Sequence, residues 1–390
     1  MPVPLKLIRP IKIFLFTAFI LGPACLFAAQ QELDFKPFGG DSLDRAIHLV
    51  PLNKSGYLMT GMSSSFGRKE DALIVRLDKA LKPLWQRTYG GPGLDFAWGV
   101  QELSHGGYMI SGFTNSFGNG GLDAWILRLD NQGDTLWTQT IGGTKDERAV
   151  MLIQTYDGNF VVIGQTDSWG NGSTDVLLVK ISGDGQLLWK KTFGGEKSDR
   201  GFNVLEMPNH DLILSGITEN NEHHDTDALL IRTTSTGDLI WKKTYGHTGV
   251  DVAHFLLLRD NQNLVMAGYE EYTSGLHEPM LVEVDRNGNL LNKVTYKVDG
   301  DARIMAGYFN KKNEFIGIGY AMKNGRKDWD FYFIHTDKEL TLKESMTYGG
   351  DKDDQGYSIC QDPEGGSLGT GHSYSTTNSK GDAVLYRWKN

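Results

Sequence analysis

The stretch that decides the fold is residues 89–143, YGGPGLDFAWGVQELSHGGYMISGFTNSFGNGGLDAWILRLDNQGDTLWTQTIGG. Copies of it fill most of the 390-residue chain at steps of 51 or 52 residues. The glycine that ends YMISG marks the period and recurs at Gly61, Gly112, Gly164, Gly216, Gly268, Gly319 and Gly371. A fixed period of this size is typical of propellers, solenoids and other repeat arrays.

Each unit contains four short apolar runs separated by turn residues. In the quoted unit they are residues 96–103, 107–113, 124–129 and 135–141, which we name strands A, B, C and D. Alternating side chains indicate strands, and Asp-Gly, Asn-Gly and Gly-Gly pairs between the runs favour hairpin turns. The repeat therefore predicts an all-β, seven-bladed β-propeller with four antiparallel strands per blade. A parallel β-helix is the alternative, but it would need shorter coils and fewer hairpins.

The two ends of the chain fit a closed ring. The last unit stops after strand C, whereas residues 31–40, which end in Phe38-Gly39-Gly40, match the end of a strand D. We therefore expect the N-terminal strand to complete the last blade, which removes an unpaired sheet edge. The recurring tryptophans of strand D are expected to pack between blades; they are Trp85, Trp137, Trp189 and Trp241.

Residues 1–29 have the pattern of a signal peptide, and residues 30–390 form the repeat domain. Basic residues precede an apolar run at 13–27, and two alanines follow it. An uncleaved membrane anchor and lipid attachment at Cys25 are the alternatives. Cleavage predicts a periplasmic, secreted or cell-surface protein, expected to be a monomer without a membrane span. Cys360 would then be the lone cysteine, so no internal disulfide is expected.

The net charge of −9 argues against a general nucleic-acid binder, which needs a basic face. The chain contains no HExxH motif, P-loop, nucleophile elbow or dinucleotide-binding fingerprint. The charge favours a protein, peptide or glycan partner over nucleic acid. The missing motifs give no support to the enzyme classes that carry them.

Two series of acidic residues recur beside the D–A and B–C loops, which share one face of a propeller. The first is Asp44, Asp95, Glu147, Asp199, Asp251, Asp301 and Asp354, and the second is Asp71, Asp123, Asp175, Asp227, Glu278, Asp330 and Asp382. Because every blade repeats them, we expect them to accept hydrogen bonds from nearby turns. No cofactor is required by this interpretation, and calcium is the ion that such carboxylates could bind.

Units four to six depart from the repeat, so we expect function there. The candidate ligand-binding residues are His223, His224, His247, Glu270, Glu271 and Trp329. His223, His224 and Asp225 are of metal-ligating type, but they show no fixed ligand spacing. If the protein is an enzyme, His254 and Asp251 are the candidate acid–base residues because strand A borders the central channel.

The units resemble the repeats of secreted bacterial and archaeal β-propeller proteins. The shared strings are GG-x4-D, then GGY with an apolar run and GTNSFG, then DA…LD-x-x-G-x-x-x-W-x-x-TYGG. Units five to seven depart from this pattern: Asn292 stands near the expected tryptophan, and Lys297-Val298 replace Gly-Gly. A weaker similarity to pyrroloquinoline-quinone-type propeller repeats lies in Asp130–Trp137, but those enzymes usually have eight blades.

The resemblance implies shared blade packing and, for most of that family, no assigned activity. The leading hypothesis is an exported, non-catalytic binding or scaffolding propeller that holds its partner with the D–A and B–C loops. The alternatives are a polysaccharide hydrolase or lyase and, third, a quinoprotein-like enzyme.

Overall fold

The structure is a computed structural model that describes residues 33–53, 55–219, 225–273, 275–376 and 380–388. Those residues contain 28 strands and no helix. The strands form seven four-stranded antiparallel sheets. Six of them have their strands in chain order, and the seventh takes its outermost strand from the start of the described chain, as the repeat predicts. None of the described residues belongs to a helix that could cross a membrane.

Each blade is formed by four strands that follow one another from the centre of the ring outward. Blades 1 and 2 are β2 (Asp44–Pro51), β3 (Tyr57–Ser63), β4 (Asp71–Leu77), β5 (Pro83–Tyr89), and β6 (Asp95–Glu102), β7 (Tyr108–Thr114), β8 (Asp123–Leu129), β9 (Thr135–Ile141). Blades 3 and 4 are β10 (Glu147–Gln154), β11 (Phe160–Thr166), β12 (Asp175–Ile181), β13 (Leu187–Phe193), and β14 (Asp199–Glu206), β15 (Leu212–Glu219), β16 (Thr226–Thr233), β17 (Leu239–Tyr245). Blades 5 and 6 are β18 (Asp251–Leu258), β19 (Leu264–Thr273), β20 (Leu276–Val284), β21 (Leu290–Thr295), and β22 (Gly300–Phe309), β23 (Phe315–Lys323), β24 (Asp330–Thr336), β25 (Leu342–Tyr348). Blade 7 is β26 (Asp354–Gln361), β27 (Ser367–Ser373), β28 (Asp382–Trp388) and β1 (Leu33–Phe38).

The first strand of each blade is the innermost, because it contacts the first strands of the neighbouring blades. The second and third strands are almost fully buried, whereas the fourth is half-exposed at the outer rim. The D–A and B–C loops therefore meet on one face, which we call the loop face; in blade 2 it comprises residues 90–94 and 115–122.

The predicted closure is confirmed. Strand β1 pairs antiparallel with β28, in a register that runs from Leu33 opposite Trp388 to Phe38 opposite Ala383. The ring of Phe35 lies 6.0 Å from that of Phe331, so the closing strand also packs against blade 6. The last blade is thus built from both ends of the described chain.

Blades are joined by apolar side chains and by the strand-D tryptophans, as predicted. The indole Nε1 of Trp85 donates to the carbonyl oxygen of Asn131 in the next blade at 3.2 Å, and the hydroxyl of Tyr89 donates to Gly133 at 2.6 Å. Gly133 has φ of 81°, and a Cβ there would lie 3.1 Å from the Trp85 ring. This turn needs glycine both for its backbone conformation and for the ring above it.

Every innermost strand contains a β-bulge, which the sequence pattern did not predict. The register slips after Ala46, Ala97, Ala149, Gly201, Ala253, Ile304 and Gly356. A bulge leaves a residue unpaired and redirects its side chain. The residues left out of the ladder are Ile47, Trp98 with Gly99, Val150, Phe202, His254, Met305 and Tyr357. They form a mostly apolar ring on the innermost strands.

The assignment of Asp301 to the first acidic series is wrong by one residue. In blade 5, Gly268 pairs with Ala253 and the acid Asp251 lies two residues earlier, opposite Glu270. In blade 6, Gly319 pairs with Ile304, so the corresponding residue is Ala302. A slip of one residue places a side chain on the other face of the sheet.

Candidate functional site

Blade 2 shows the hydrogen-bond network that most blades share at the loop face. Asp95, which is fully buried, accepts hydrogen bonds from the hydroxyls of Thr114 and Ser116, the latter at 2.6 Å. Its Oδ2 also accepts the backbone N–H of Gly91 at 2.9 Å. The carboxylate thus ties the D–A loop to the end of strand B, which supports the structural interpretation of the first acidic series. Calcium binding there stays a prediction.

Three positions of this network vary together in blades 5 and 6. The loop position is Gly40, Gly91, Gly143, Gly195, His247, Val298 and Gly350 in blades 1 to 7. The acid position is Asp44, Asp95, Glu147, Asp199, Asp251, Ala302 and Asp354, and its strand-B partner is Ser63, Thr114, Thr166, Thr218, Glu270, Ala321 and Ser373. Blade 6 replaces the network with apolar residues, whereas blade 5 adds a histidine and a second carboxylate.

The blade-5 residues converge into one charged cluster, comprising His247, Asp251, Glu270 and Lys293. The side chain of His247 is 52% exposed, and its ring lies between the two carboxylates, with Nδ1 3.5 Å from Asp251 Oδ2 and Nε2 3.2 Å from Glu270 Oε2. Lys293, from the outermost strand of the same blade, makes an ion pair with Glu270 and has its Nζ 3.9 Å from Asp251 Oδ1. We call these four residues the blade-5 cluster.

Burial raises the pKa of the Asp251 carboxyl, and the nearby charge of Glu270 adds to this effect. The backbone N–H of His247, which donates to Asp251 Oδ2 at 3.0 Å, acts in the opposite direction, as do the charges of His247 and Lys293. Two facing carboxylates therefore depend on neighbouring cations to share one site.

The opposite face of β19 carries a second cluster. Tyr269, one residue before Glu270, points toward blade 6, where the Arg303 guanidinium carbon lies 5.0 Å from its ring centroid. The same guanidinium lies 5.9 Å from the ring of Tyr320 and 5.1 Å from that of Trp329. His277 completes the set, with Nδ1 3.3 Å from an Arg303 nitrogen. We call Tyr269, His277, Arg303, Tyr320 and Trp329 the arginine cluster.

Asp301 lies beneath the arginine cluster and holds it in place. Its Oδ2 is 3.1 Å from His277 Nδ1 and 3.3 Å from Arg303. Burial alone would raise the pKa of this carboxyl, but the hydrogen bonds with His277 and Arg303 outweigh burial and keep the pKa below its usual value. Arg303 retains 23% side-chain exposure, so its charge is fixed by Asp301 yet reaches solvent.

His254 lies in the ring of bulge residues and contacts aromatic rings, 5.0 Å from Phe202 and 5.6 Å from Tyr269. Burial, helped by the positive charge of Arg303, lowers its pKa to about 4. An imidazole with this pKa is uncharged at neutral pH, which makes it a poor general acid there.

Replacing His254 with Phe is expected to reduce the fall in the free energy of unfolding that accompanies acidification. The unfolded chain takes up a proton at His254 near pH 6.5, but the folded protein does so only near pH 4, so stability falls as the pH drops between these values. His254→Phe should remove about 2 kcal/mol of the loss between pH 7.5 and 4.5 in urea unfolding. His105→Phe, at an exposed histidine, is the control. Equal pH slopes for wild type and His254→Phe would contradict this assignment.

The other candidate residues have separate positions. His223 and His224 lie outside the described residues. Asp225 Oδ1 accepts the N–H of Gly249 at 3.1 Å, so it connects two loops. Glu271 accepts backbone N–H groups of Val250 and Gly275 at 3.0 and 2.7 Å, so both of its oxygens serve the loop.

Sequence reasoning predicted His247, Glu270 and Trp329 as candidates, and they lie in these two clusters, but it did not select their neighbours Arg303 and Lys293. Both cations lie within strands, and their partners come from other strands or the neighbouring blade. One feature of the sequence could have indicated Arg303: it lies two residues after Asp301, which does not occupy the position of the first acidic series.

No protein-family model matches the chain, and no curated protein matches its sequence. Solved propeller structures do match. BBS1N in complex with ARL6DN is 7% identical, with 91% of this chain and 95% of that chain covered and a TM-score of 0.53. The Pan2 WD40 domain of Neurospora crassa is 12% identical, with coverage of 88% and 91% and a TM-score of 0.50. At these identities the likeness shows the propeller fold alone.

Proposed function

We propose that the protein is an exported, non-catalytic binding propeller that holds a protein, peptide or glycan with the loop face of blades 5 and 6. The observation that carries this proposal is the arginine cluster, where Arg303 lies against three aromatic rings from two blades. Arg303, Tyr320 and Trp329 are partly exposed, whereas the Tyr269 ring is buried. Arg, Trp and Tyr are the residue types that dominate binding energy at interfaces.

The support comes from pre-organisation. Asp301 and His277 fix the guanidinium of Arg303 before any partner arrives. A side chain that is already ordered loses little entropy on binding, so more of its contact energy contributes to affinity. The BBS1N structure, which contains one partner, ARL6DN, is consistent with a propeller used as a scaffold. Residues 1–29 support export.

Binding to a glycan array and to a displayed peptide library tests the proposal. Trp329→Leu should weaken the binding of any ligand found by at least about 10-fold, because a central aromatic contact contributes about 2 kcal/mol or more. Tyr156→Leu removes an aromatic side chain of 71% exposure from the A–B turn of blade 3, on the opposite face, and should leave affinity unchanged. Loss of binding by Tyr156→Leu but not Trp329→Leu would place the site on the other face.

A further inference from the structure

We propose that His247, Asp251 and Glu270 form a binding site for a divalent first-row cation of the zinc type. Each residue offers one ligand atom, and these atoms lie within 4.8 Å of one another. Imidazole nitrogen with two carboxylate oxygens is a ligand set that zinc accepts, and three protein ligands leave a position open. This site is separate from the arginine cluster, so it extends the proposed function without depending on it.

The repeat itself shows that the blade-5 cluster is not needed to build a blade. Five blades use glycine and a hydroxyl where blade 5 has His247 and Glu270. Blade 6 has no polar residues at the acid position and its strand-B partner, where Ala302 pairs with Ala321. Glu270 places a second buried carboxylate opposite Asp251, which costs stability. The hydroxyl of the five regular blades and the alanine pair of blade 6 both avoid this cost. The presence of Glu270 therefore requires positive charge at this position, which Lys293 or a bound cation can supply.

A second observation supports a ligand. Asp251 is fully buried, and within the described part of the chain its Oδ1 has no hydrogen-bond partner. In blade 2 the same oxygen accepts the hydroxyl of Thr114, but blade 5 has the acceptor Glu270 at that position. Glu270 Oε2 is also without a hydrogen bond among the described residues, although charged groups approach it. Both oxygens thus have the capacity to coordinate an ion.

One ligand atom from each of the three residues lies within 4.8 Å of the others, so small side-chain movements would bring them around a single ion. Ligand atoms about 2.0–2.1 Å from a tetrahedral zinc lie roughly 3.4 Å apart. His247 Nδ1 lies 3.5 Å from Asp251 Oδ2, the oxygen that accepts the His247 backbone N–H, and His247 Nε2 lies 3.2 Å from Glu270 Oε2. The imidazole presents a different nitrogen to each carboxylate, so coordination requires its half-exposed ring to turn. That exposure also gives the ion a route from solvent.

Lys293 supplies the positive charge that the cation would provide. Its ammonium contacts Glu270 and lies 3.9 Å from Asp251 Oδ1. A bound dication and an ammonium would repel each other at this distance. Binding therefore requires Lys293 to swing outward, which its four-carbon stem and position in the outermost strand permit. Removing the ammonium should then strengthen metal binding.

The experiment is titration of the untagged full chain with Zn²⁺ by isothermal calorimetry, with Co²⁺ absorption as a direct readout of coordination. One equivalent should bind. His247→Gly and Glu270→Thr restore the residues of other blades, so they should keep the fold, and each should weaken binding by about 100-fold or more, since even outer-shell changes cost 10- to 100-fold. Lys293→Met should bind at least 10-fold tighter.

Glu196→Gln, which alters an exposed carboxylate in the corresponding loop of blade 4, is the matched control and should bind as the wild type does. Circular dichroism and thermal melting establish that each variant is folded. The proposal is wrong if neither wild type nor Lys293→Met binds Zn²⁺, or if His247→Gly and Glu270→Thr bind it as tightly as the wild type.

Discussion

Deleting residues 31–40 is expected to lower Tm by about 10 °C or more. The deletion removes β1, so the edge of β28 loses its pairing partner and blade 7 keeps three strands. It also removes Phe38, which is 8% exposed, and Phe35, which packs against blade 6. Burying a Phe side chain contributes about 1.5–3 kcal/mol, and in large domains 1 kcal/mol corresponds to about 2–4 °C of Tm.

Differential scanning calorimetry measures the effect, with a chain that lacks only residues 1–30 as the control. A synthetic peptide of residues 31–40 should restore part of the lost Tm by adding back the missing strand. The same peptide with Phe35→Asp should not, because that ring packs against Phe331. An unchanged Tm after the deletion would mean that the ring does not depend on this closure.

The blade count, strand order and closure could be predicted because they are properties of the repeat. Each landmark recurs at a fixed step, so an error in one unit is corrected by the others. The missing strand D at the end of the chain was visible for the same reason, since residues 31–40 carry that signature. Because each repeat carries the same landmarks, every repeat gives independent evidence for the same blade.

The strand register of unit six could not be predicted as reliably as the number and order of the strands. In unit six Asp301 stands next to Ala302, and the acidic residues of the other units favour Asp301 as the member of the series. The pairing of Gly319 with Ile304 shows that Ala302 is the corresponding residue. Period-2 geometry makes such a slip costly, because neighbouring residues face opposite sides of the sheet. Asp301 consequently belongs to the arginine cluster and not to the shared network.

The candidate site could be predicted only where the sequence breaks its own repeat. His247 and Glu270 replace a glycine and a hydroxyl, so their positions were conspicuous. Lys293 and Arg303 occupy strand positions where polar residues are ordinary, and their partners depend on side-chain reach across strands and blades. Such contacts depend on three-dimensional packing that periodicity does not encode.

Replacing Asp95 with Ala is expected to cost about 3–5 kcal/mol. The substitution leaves the hydroxyls of Thr114 and Ser116 and the N–H of Gly91 without their shared acceptor in a buried site. An unsatisfied buried donor costs about 1–3 kcal/mol, and a charged partner raises this value. Urea unfolding measures the loss. Asp134→Ala, which breaks an exposed ion pair with Arg87, is the control and should cost at most about 1 kcal/mol.

Adding Thr114→Ala to Asp95→Ala should cost less than the sum of the two single changes, by about 1 kcal/mol or more. The double variant reproduces the Ala302–Ala321 pair that blade 6 already tolerates, because it removes an unpaired donor together with its acceptor. A double-mutant cycle measures this coupling. If Asp95→Ala is instead as mild as Asp134→Ala, the carboxylates do not stabilise their blades. Calcium titration would then become the direct test of their role, since buried acids that contribute nothing to folding need another reason to recur in six blades.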